Sequence, residues 1–180
     1  SQSFAGNIAA YKEKFASIQG IGGSKIYPTW QGAGTVKAVL ISSDYTAVSD
    51  YLINQIRAEA VPAKGSGYGW APIGHNLTIE SVKEVVISVS TQVTYAAGYS
   101  SSNLSEKIKE KIKEYLKGIA EAWKEGDEHT EAIIYISRLE SAILDVQGVL
   151  DVNNTSLNKN SSNLTLQSDE IPKLGEVALI

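Results

Sequence analysis

The chain has 180 residues, 43% of them hydrophobic and 20% charged, with a net charge of −4 and neither Cys nor Met. The apolar fraction suffices for a packed core and excludes wholesale disorder, and the lack of Cys excludes a disulfide scaffold, a thiolate metal site and a cysteine nucleophile. The negative balance argues against a nucleic-acid-binding surface, and no run nears the about 20 apolar residues of a membrane helix.

From the N-terminus, Asn7 is placed to cap a helix whose apolar stripe is Ile8, Tyr11, Phe15 and Ile18, with Gly20 as its stop. Residues 25–30 read as a short strand, in which Pro28 marks an edge or a bulge. Gln31-Gly32-Ala33-Gly34 is a hairpin turn, and the β-branched run 35–41 is the return strand. Ser49 caps a second helix through Leu52, Ile53, Ile56 and Ala60, which Pro62 ends. A glycine-studded loop follows over 64–75. It leads into a strand over 76–82 and then an alternating one over 85–95, the period of a sheet with one wet face.

Asn103-Leu104-Ser105-Glu106 has the form of a capping box. It opens a helix striped by Leu104, Ile108, Ile112, Leu116, Ile119 and Trp123. Six Lys and five Glu between 106 and 125 form its solvated face. Residues 132–136 are continuously apolar and read as a buried strand. Ser137-Arg138-Leu139-Glu140 reads as a second capping box, for a short helix through Leu139, Ile143 and Val146 that Gly148 ends. Short strands are expected at 149–152, 164–166 and 176–180, with a polar turn over 153–163 and another over 171–175. Ile18-Gln19-Gly20-Ile21 and Val146-Gln147-Gly148-Val149 echo each other, each ending a helix ahead of a strand. The expected fold is therefore α+β, in two small units over residues 1–82 and 83–180, each with helices on a mostly antiparallel or mixed sheet.

The residues that chemistry would need do not assemble in the sequence. Neither Gly20-Ile21-Gly22-Gly23-Ser24-Lys25 nor Gly65-Ser66-Gly67-Tyr68-Gly69 has the spacing of a phosphate loop, and neither opens a helix. No G-x-S-x-G elbow is present. The two histidines are His75, after a tight turn, and His129, in the acidic loop Glu125-Gly126-Asp127-Glu128-His129. The first is expected to bond turn backbone and the second to lie exposed. No catalytic residue, metal ligand or cofactor is assigned. Six Asn-x-Ser/Thr triplets read as turn chemistry. What remains is surface. Trp30, Tyr68, Trp70, Tyr95 and Tyr99 fall at strand ends or in loops, where large aromatics anchor contacts. Tyr68, Trp70 and Trp30 are the candidate interface residues, the Tyr68/Trp70 pair first among them.

Several ordered segments carry a resemblance. They are Gly6-Asn7-Ile8-Ala9-Ala10-Tyr11-Lys12-Glu13-Lys14, Ile18-Gln19-Gly20-Ile21-Gly22-Gly23 and Ala71-Pro72-Ile73-Gly74-His75. Further on come Ile136-Ser137-Arg138-Leu139-Glu140, Val146-Gln147-Gly148-Val149-Leu150-Asp151, Asn163-Leu164-Thr165-Leu166 and Glu170-Ile171-Pro172. In this order they resemble the C-terminal part of the baseplate J-like family of contractile phage tails, in the version of PBSX-type defective prophages. That position in the family agrees with a start at Ser1-Gln2-Ser3 without Met, expected of a piece excised from a longer protein. The resemblance implies a structural component of the baseplate wedge with no catalytic residues to carry over. It implies several copies around a sixfold tail axis, touching other wedge and tail proteins and a fibre-attachment protein. It implies no nucleic acid and no membrane insertion, in a virion or phage-like particle assembled in the bacterial cytoplasm. Two other readings stand beside it: a hydrolase-type enzyme using His75 with an unidentified carboxylate, and a surface- or carbohydrate-binding module.

Overall fold

The structure is a computed structural model describing residues 7–180; Ser1-Gln2-Ser3 and Gly6, named above, lie outside the described residues. The fold is α+β, with two compact units. One runs to Lys83 and also takes in Lys124–His129; the other is Glu84–Trp123 with Thr130–Ile180.

In the first unit, Asn7 caps α1 (Ile8–Ala16) by accepting from Ala10 N at 2.8 Å, and Ser49 caps α2 (Asp50–Ala60) by accepting from Leu52 N at 3.2 Å. Strands β1 (Ile21–Pro28), β2 (Thr35–Ser42) and β3 (Asn76–Ser81) form one sheet in that order. β1 is antiparallel to β2, with Ile26 opposite Ala38, and β3 is parallel to β2, with Val36 opposite Leu77. A parallel pair needs a crossover, which α2 supplies. Tyr11 and Phe15 of α1 and Ile53, Ile56 and Ala60 of α2 bury one sheet face against Ile26, Ala38, Leu40 and Ile79. Val39 and Ile41, pointing the other way, are buried as well, so residues 38–41 read as continuously apolar rather than alternating.

β1 starts at Ile21 rather than Lys25, because the glycines expected to be loop are strand. A Cβ on Gly22 would stand 2.5 Å from the Ser42 carbonyl oxygen, and one on Gly23 would stand 2.6 Å from Lys124 Cβ. The ladder is bulged between Ile21 and Gly23.

The second unit is built on β4 (Lys83–Tyr95), flanked by β6 (Val149–Leu157) and β8 (Glu170–Leu179). β6 is antiparallel to β4. β8 runs parallel to it, as Ile180 N donating to Thr91 O and receiving from Val93 N across its own carbonyl requires (2.9 and 3.3 Å). Helices α3 (Ser101–Ala122) and α4 (Ile136–Leu144) supply Leu104, Ile108, Ile112, Leu116, Leu139 and Ile143 to the core under Ile87, Val89 and Val93. A short antiparallel pair, β5 (Ile133–Ile134) and β7 (Leu164–Thr165), completes it.

Four local expectations shift here. α3 begins a turn earlier than Asn103: Ser100 is the cap residue, and the Asn103 side chain reaches back to accept from Ser100 N at 2.9 Å. Its stripe runs through Ala120 to Trp123, buried in the 3-10 turn that follows the helix, with Ile119 half-buried. Ser137 lies inside α4, whose cap position is Tyr135, so the apolar strand shrinks to β5; Glu140 accepts from Thr155 Oγ1 at 2.7 Å instead of closing a box. β6 runs on to Leu157, through the segment read as a polar turn, because Thr155 and Leu157 are buried. Residues 171–175 are strand too: β8 lies at a sheet edge, the place in a sheet where a proline such as Pro172 is tolerated.

The two Gln-Gly steps are structurally equivalent. Gly20 and Gly148 take φ of 95° and 100°, each between a helix and an edge strand. Each carbonyl accepts, at 2.9 Å, from the residue just past the end of the central strand: Ser43 after β2, and Ala96 after β4.

Candidate functional site

The loop after α2 includes two glycines, Gly67 and Gly69, that have no room for a side chain. Pro62 cannot continue the helix. Ala71 N returns to the last helical carbonyl, Ala60 O, at 3.1 Å, and Gly74 N closes on Gly65 O at 3.1 Å. At Gly69 a Cβ would stand 2.2 Å from Ala60 O, and at Gly67 it would stand 2.2 Å from Ile73 Cγ1. The loop is thus folded tightly on the helix end, and its tip presents Tyr68, 86% exposed, and Ile73, 79% exposed.

Trp70, two residues from Tyr68, turns inward. Its ring meets Phe15 edge-on at 5.3 Å and Tyr11 at 6.3 Å, and Lys14 Nζ lies 5.5 Å from it. It packs half-buried on the core of the first unit. The pair singled out in the sequence is therefore divided, with Tyr68 in solvent and Trp70 on the core.

His75 closes the loop. Its backbone N–H donates to Pro72 O at 3.1 Å, and its ring Nδ1 lies 2.7 Å from the Tyr11 hydroxyl. Tyr11 is buried, which pushes its hydroxyl up to about 12 and keeps it a neutral phenol that can donate to Nδ1 or accept from it. The ring partner is thus a phenol from α1, not the turn backbone alone. Between the start of α1 and strands β1 and β2 runs an apolar groove of about 440 Å³ lined by Ile8, Tyr11, Ile26, Pro28 and Val36.

Trp30, 38% exposed, sits elsewhere on the first unit, after β1. Lys37 Nζ lies 5.0 Å from its ring and 5.9 Å from that of Tyr27, and pairs with Glu80 Oε2 at 3.3 Å. His129 packs edge-on to Tyr27 at 5.9 Å. Its neighbour Glu128 is held, where the sequence suggests an exposed acidic loop. The carboxylate takes Lys12 Nζ at 2.9 Å and Ile26 N at 3.4 Å. Burial pushes its pKa up, but the bonds from Lys12, its own amide and Ile26, with the Lys12 charge, outweigh that and leave it below the usual carboxylate range. Nothing in the run Glu125 to His129 signals this: the partners are more than 100 residues away in the chain. Among the described residues no three His, Asp or Glu side chains converge to hold a metal ion, and no helix is long and apolar enough to cross a membrane.

Residues 3–81 match the Baseplate J-like central domain, and residues 87–180 match the Baseplate J-like protein C-terminal domain. The Phage-like element PBSX protein XkdT of Bacillus subtilis (strain 168) is 31% identical over 179 residues, 99% of this chain and 49% of that protein. The protein YqbT of the same strain is 30% identical over the same shares. The chain thus spans about half the length of these relatives. Among solved structures, a chain of the anti-feeding prophage baseplate, solved by cryo-EM with sixfold symmetrisation, matches 90% of this chain and 35% of its own length. Its TM-score is 0.58 at 13% identity, a likeness of fold.

Proposed function

The chain belongs to the baseplate J-like protein family, and from that premise we propose that it is a structural component of a contractile-tail baseplate in a phage or phage-like particle. The observation that carries the reading is that two consecutive domains of that family account for nearly the whole chain, in order. The relatives support it: one is a protein of a phage-like element, and the fold recurs in a prophage baseplate. In this reading the chain associates with other baseplate proteins, in copies around the sixfold axis and with a fibre-attachment protein among its neighbours. It is assembled in the bacterial cytoplasm and acts without catalysis. Its histidine nearest to a catalytic arrangement, His75, is engaged by a phenol rather than by the carboxylate that a hydrolase would require.

Tyr68 is the first contact residue in this reading, because it stands in solvent on a loop whose glycines fix its place. Trp30 is the second. Trp70 acts from behind, as the packing that holds the loop. The test is light scattering on the protein mixed with its neighbours from the tail operon. A complex is expected, weakened in Tyr68→Ala with the fold unchanged. A persistent monomer that binds none of them would overturn the assembly reading. A Tyr68→Ala variant that assembles normally would overturn the contact assignment alone.

A further inference from the structure

A three-stranded sheet leaves two edges, each a row of main-chain groups that another strand can join. In the first unit both edges meet a side chain of the opposite polarity. On β3, the Ile79 carbonyl accepts from Arg57 Nη2 at 2.6 Å and Nε at 3.0 Å. On β1, Ile26 N–H donates to Glu128 Oε1 at 3.4 Å. An acid covers a donor on one edge, and a base covers an acceptor on the other.

The β1 edge is blunted in two further ways. Alternate residues of an antiparallel edge strand turn their N–H groups outward, so Ile26 and Pro28 belong to one outward set. Pro28 has no N–H to offer. At the other end, the bulge between Ile21 and Gly23 breaks the regular spacing. Pro28 and the bulge are permanent. Glu128 is carried on the Lys124–His129 segment and held by side chains. Lys12 Nζ reaches its carboxylate at 2.9 Å, His129 lies edge-on to Tyr27 at 5.9 Å, and Lys124 Nζ lies 5.6 Å from the Tyr45 ring. Gly23 makes the close approach possible, since a Cβ there would stand 2.6 Å from Lys124 Cβ.

We infer that Lys124–His129 is a latch on the edge of β1, in which the Glu128 carboxylate takes the place of a neighbouring strand's carbonyl, and that it excludes edge-to-edge pairing with a second copy of this chain. Two identical edges related by a twofold axis are complementary by symmetry, so a second copy is the partner against which an open edge is least protected. Releasing the latch restores the outward donor at Ile26 while leaving the ladder to β2 intact.

The test is made on the 180-residue chain with Glu128→Ala and, separately, Lys12→Met, which loosens the same anchor from the other side. Amide hydrogen exchange at Ile26, in dilute protein, is expected to quicken about tenfold in Glu128→Ala and by less in Lys12→Met, which keeps the accepting carboxylate, with the Val39 amide of the central strand unchanged as the control for folding. Sedimentation should then show a dimer growing with concentration, and Ile26 should regain protection in it. Unchanged exchange at Ile26 in both variants would overturn the latch. Faster exchange in a chain that stays monomeric at all concentrations would overturn its role against self-pairing. A dimer whose Ile26 remains unprotected would do the same.

Discussion

The Tyr11 hydroxyl and His75 Nδ1 meet at 2.7 Å, joining the first helix to the residue that closes the glycine-rich loop. Tyr11→Phe removes this bond and leaves the imidazole nitrogen without it, a loss of about 1–2 kcal/mol by unfolding in urea at pH 8. The alkaline limb of stability tests the same pair. The folded-state value of Tyr11 is raised from 10.0 to about 12. Its contribution is therefore fully present below pH 10 and is lost as pH rises toward 12, because the unfolded chain ionises first. Melting curves from pH 8 upward should fall less steeply in Tyr11→Phe than in the parent; equal slopes would place the alkaline loss on other groups.

Trp70 and Tyr68 should separate cleanly in unfolding experiments. Trp70→Ala empties the space beside Phe15 and Tyr11, and because the ring is half-buried the expected loss is about 2–3 kcal/mol, at or below the low end of buried aromatic truncations. Tyr68→Ala, at 86% exposure, should stay within about 0.5 kcal/mol of the parent. The reverse order would mean that the loop is held by its tip.

In the second unit, Thr91 and Thr155 are buried with their hydroxyls 2.7 Å apart, and Thr155 passes a proton bond on to Glu140 at 2.7 Å. Thr155→Val breaks both contacts and takes the donor from Glu140, while the Thr91 hydroxyl keeps the Asn153 carbonyl at 3.4 Å; the expected cost is about 1–3 kcal/mol. Thr91→Val should cost less, since Thr155 keeps Glu140. The double variant should fall short of the sum, because the bond shared by the hydroxyls is counted in each single change. Chemical denaturation of the four proteins measures this coupling.

The sequence is legible where one rule acts alone. Asn7 and Ser49 are seen as caps because each precedes a clean stripe and its side chain has one backbone partner. The α+β class follows from periods that switch between helix and strand. It is less legible where two rules compete. Pro172 and Gly175 are turn residues by composition, yet an edge strand tolerates both. Asn158, with φ of 48°, is also a turn residue, but its side chain acts as a strand would. It accepts from Ser88 N at 2.8 Å and donates to Val86 O at 3.1 Å, extending the sheet past the end of β6. For the candidate site, aromatic type alone could not distinguish Trp70 from Tyr68. The deciding fact is Gly69, whose backbone must touch the end of α2 and so turns the next residue onto the core. Glu128 lay beyond pattern altogether, since its meaning depends on a strand a hundred residues earlier.

The Glu128 anchor should also respond to acid, with a sign fixed by its charges. Lys12 from α1 faces the carboxylate, Ile26 N–H faces it from β1, and Asp127 and His129 flank it on its own segment. Its folded value is depressed below the usual 4.5. The contribution is therefore present above the unfolded value and is lost as pH falls through the folded one. Protection of the Ile26 amide, corrected for the intrinsic pH dependence of exchange, should hold at neutral pH and decline only below pH 4.5. Lys12→Met removes the cation and two of the lowering contributions, so the carboxylate protonates more readily and the decline should begin at higher pH. His129→Gln separates the neighbouring imidazole from the anchor and should leave the acid limb in place. A parent and Lys12→Met that lose protection at the same pH would show that Lys12 does not set the ionisation of Glu128.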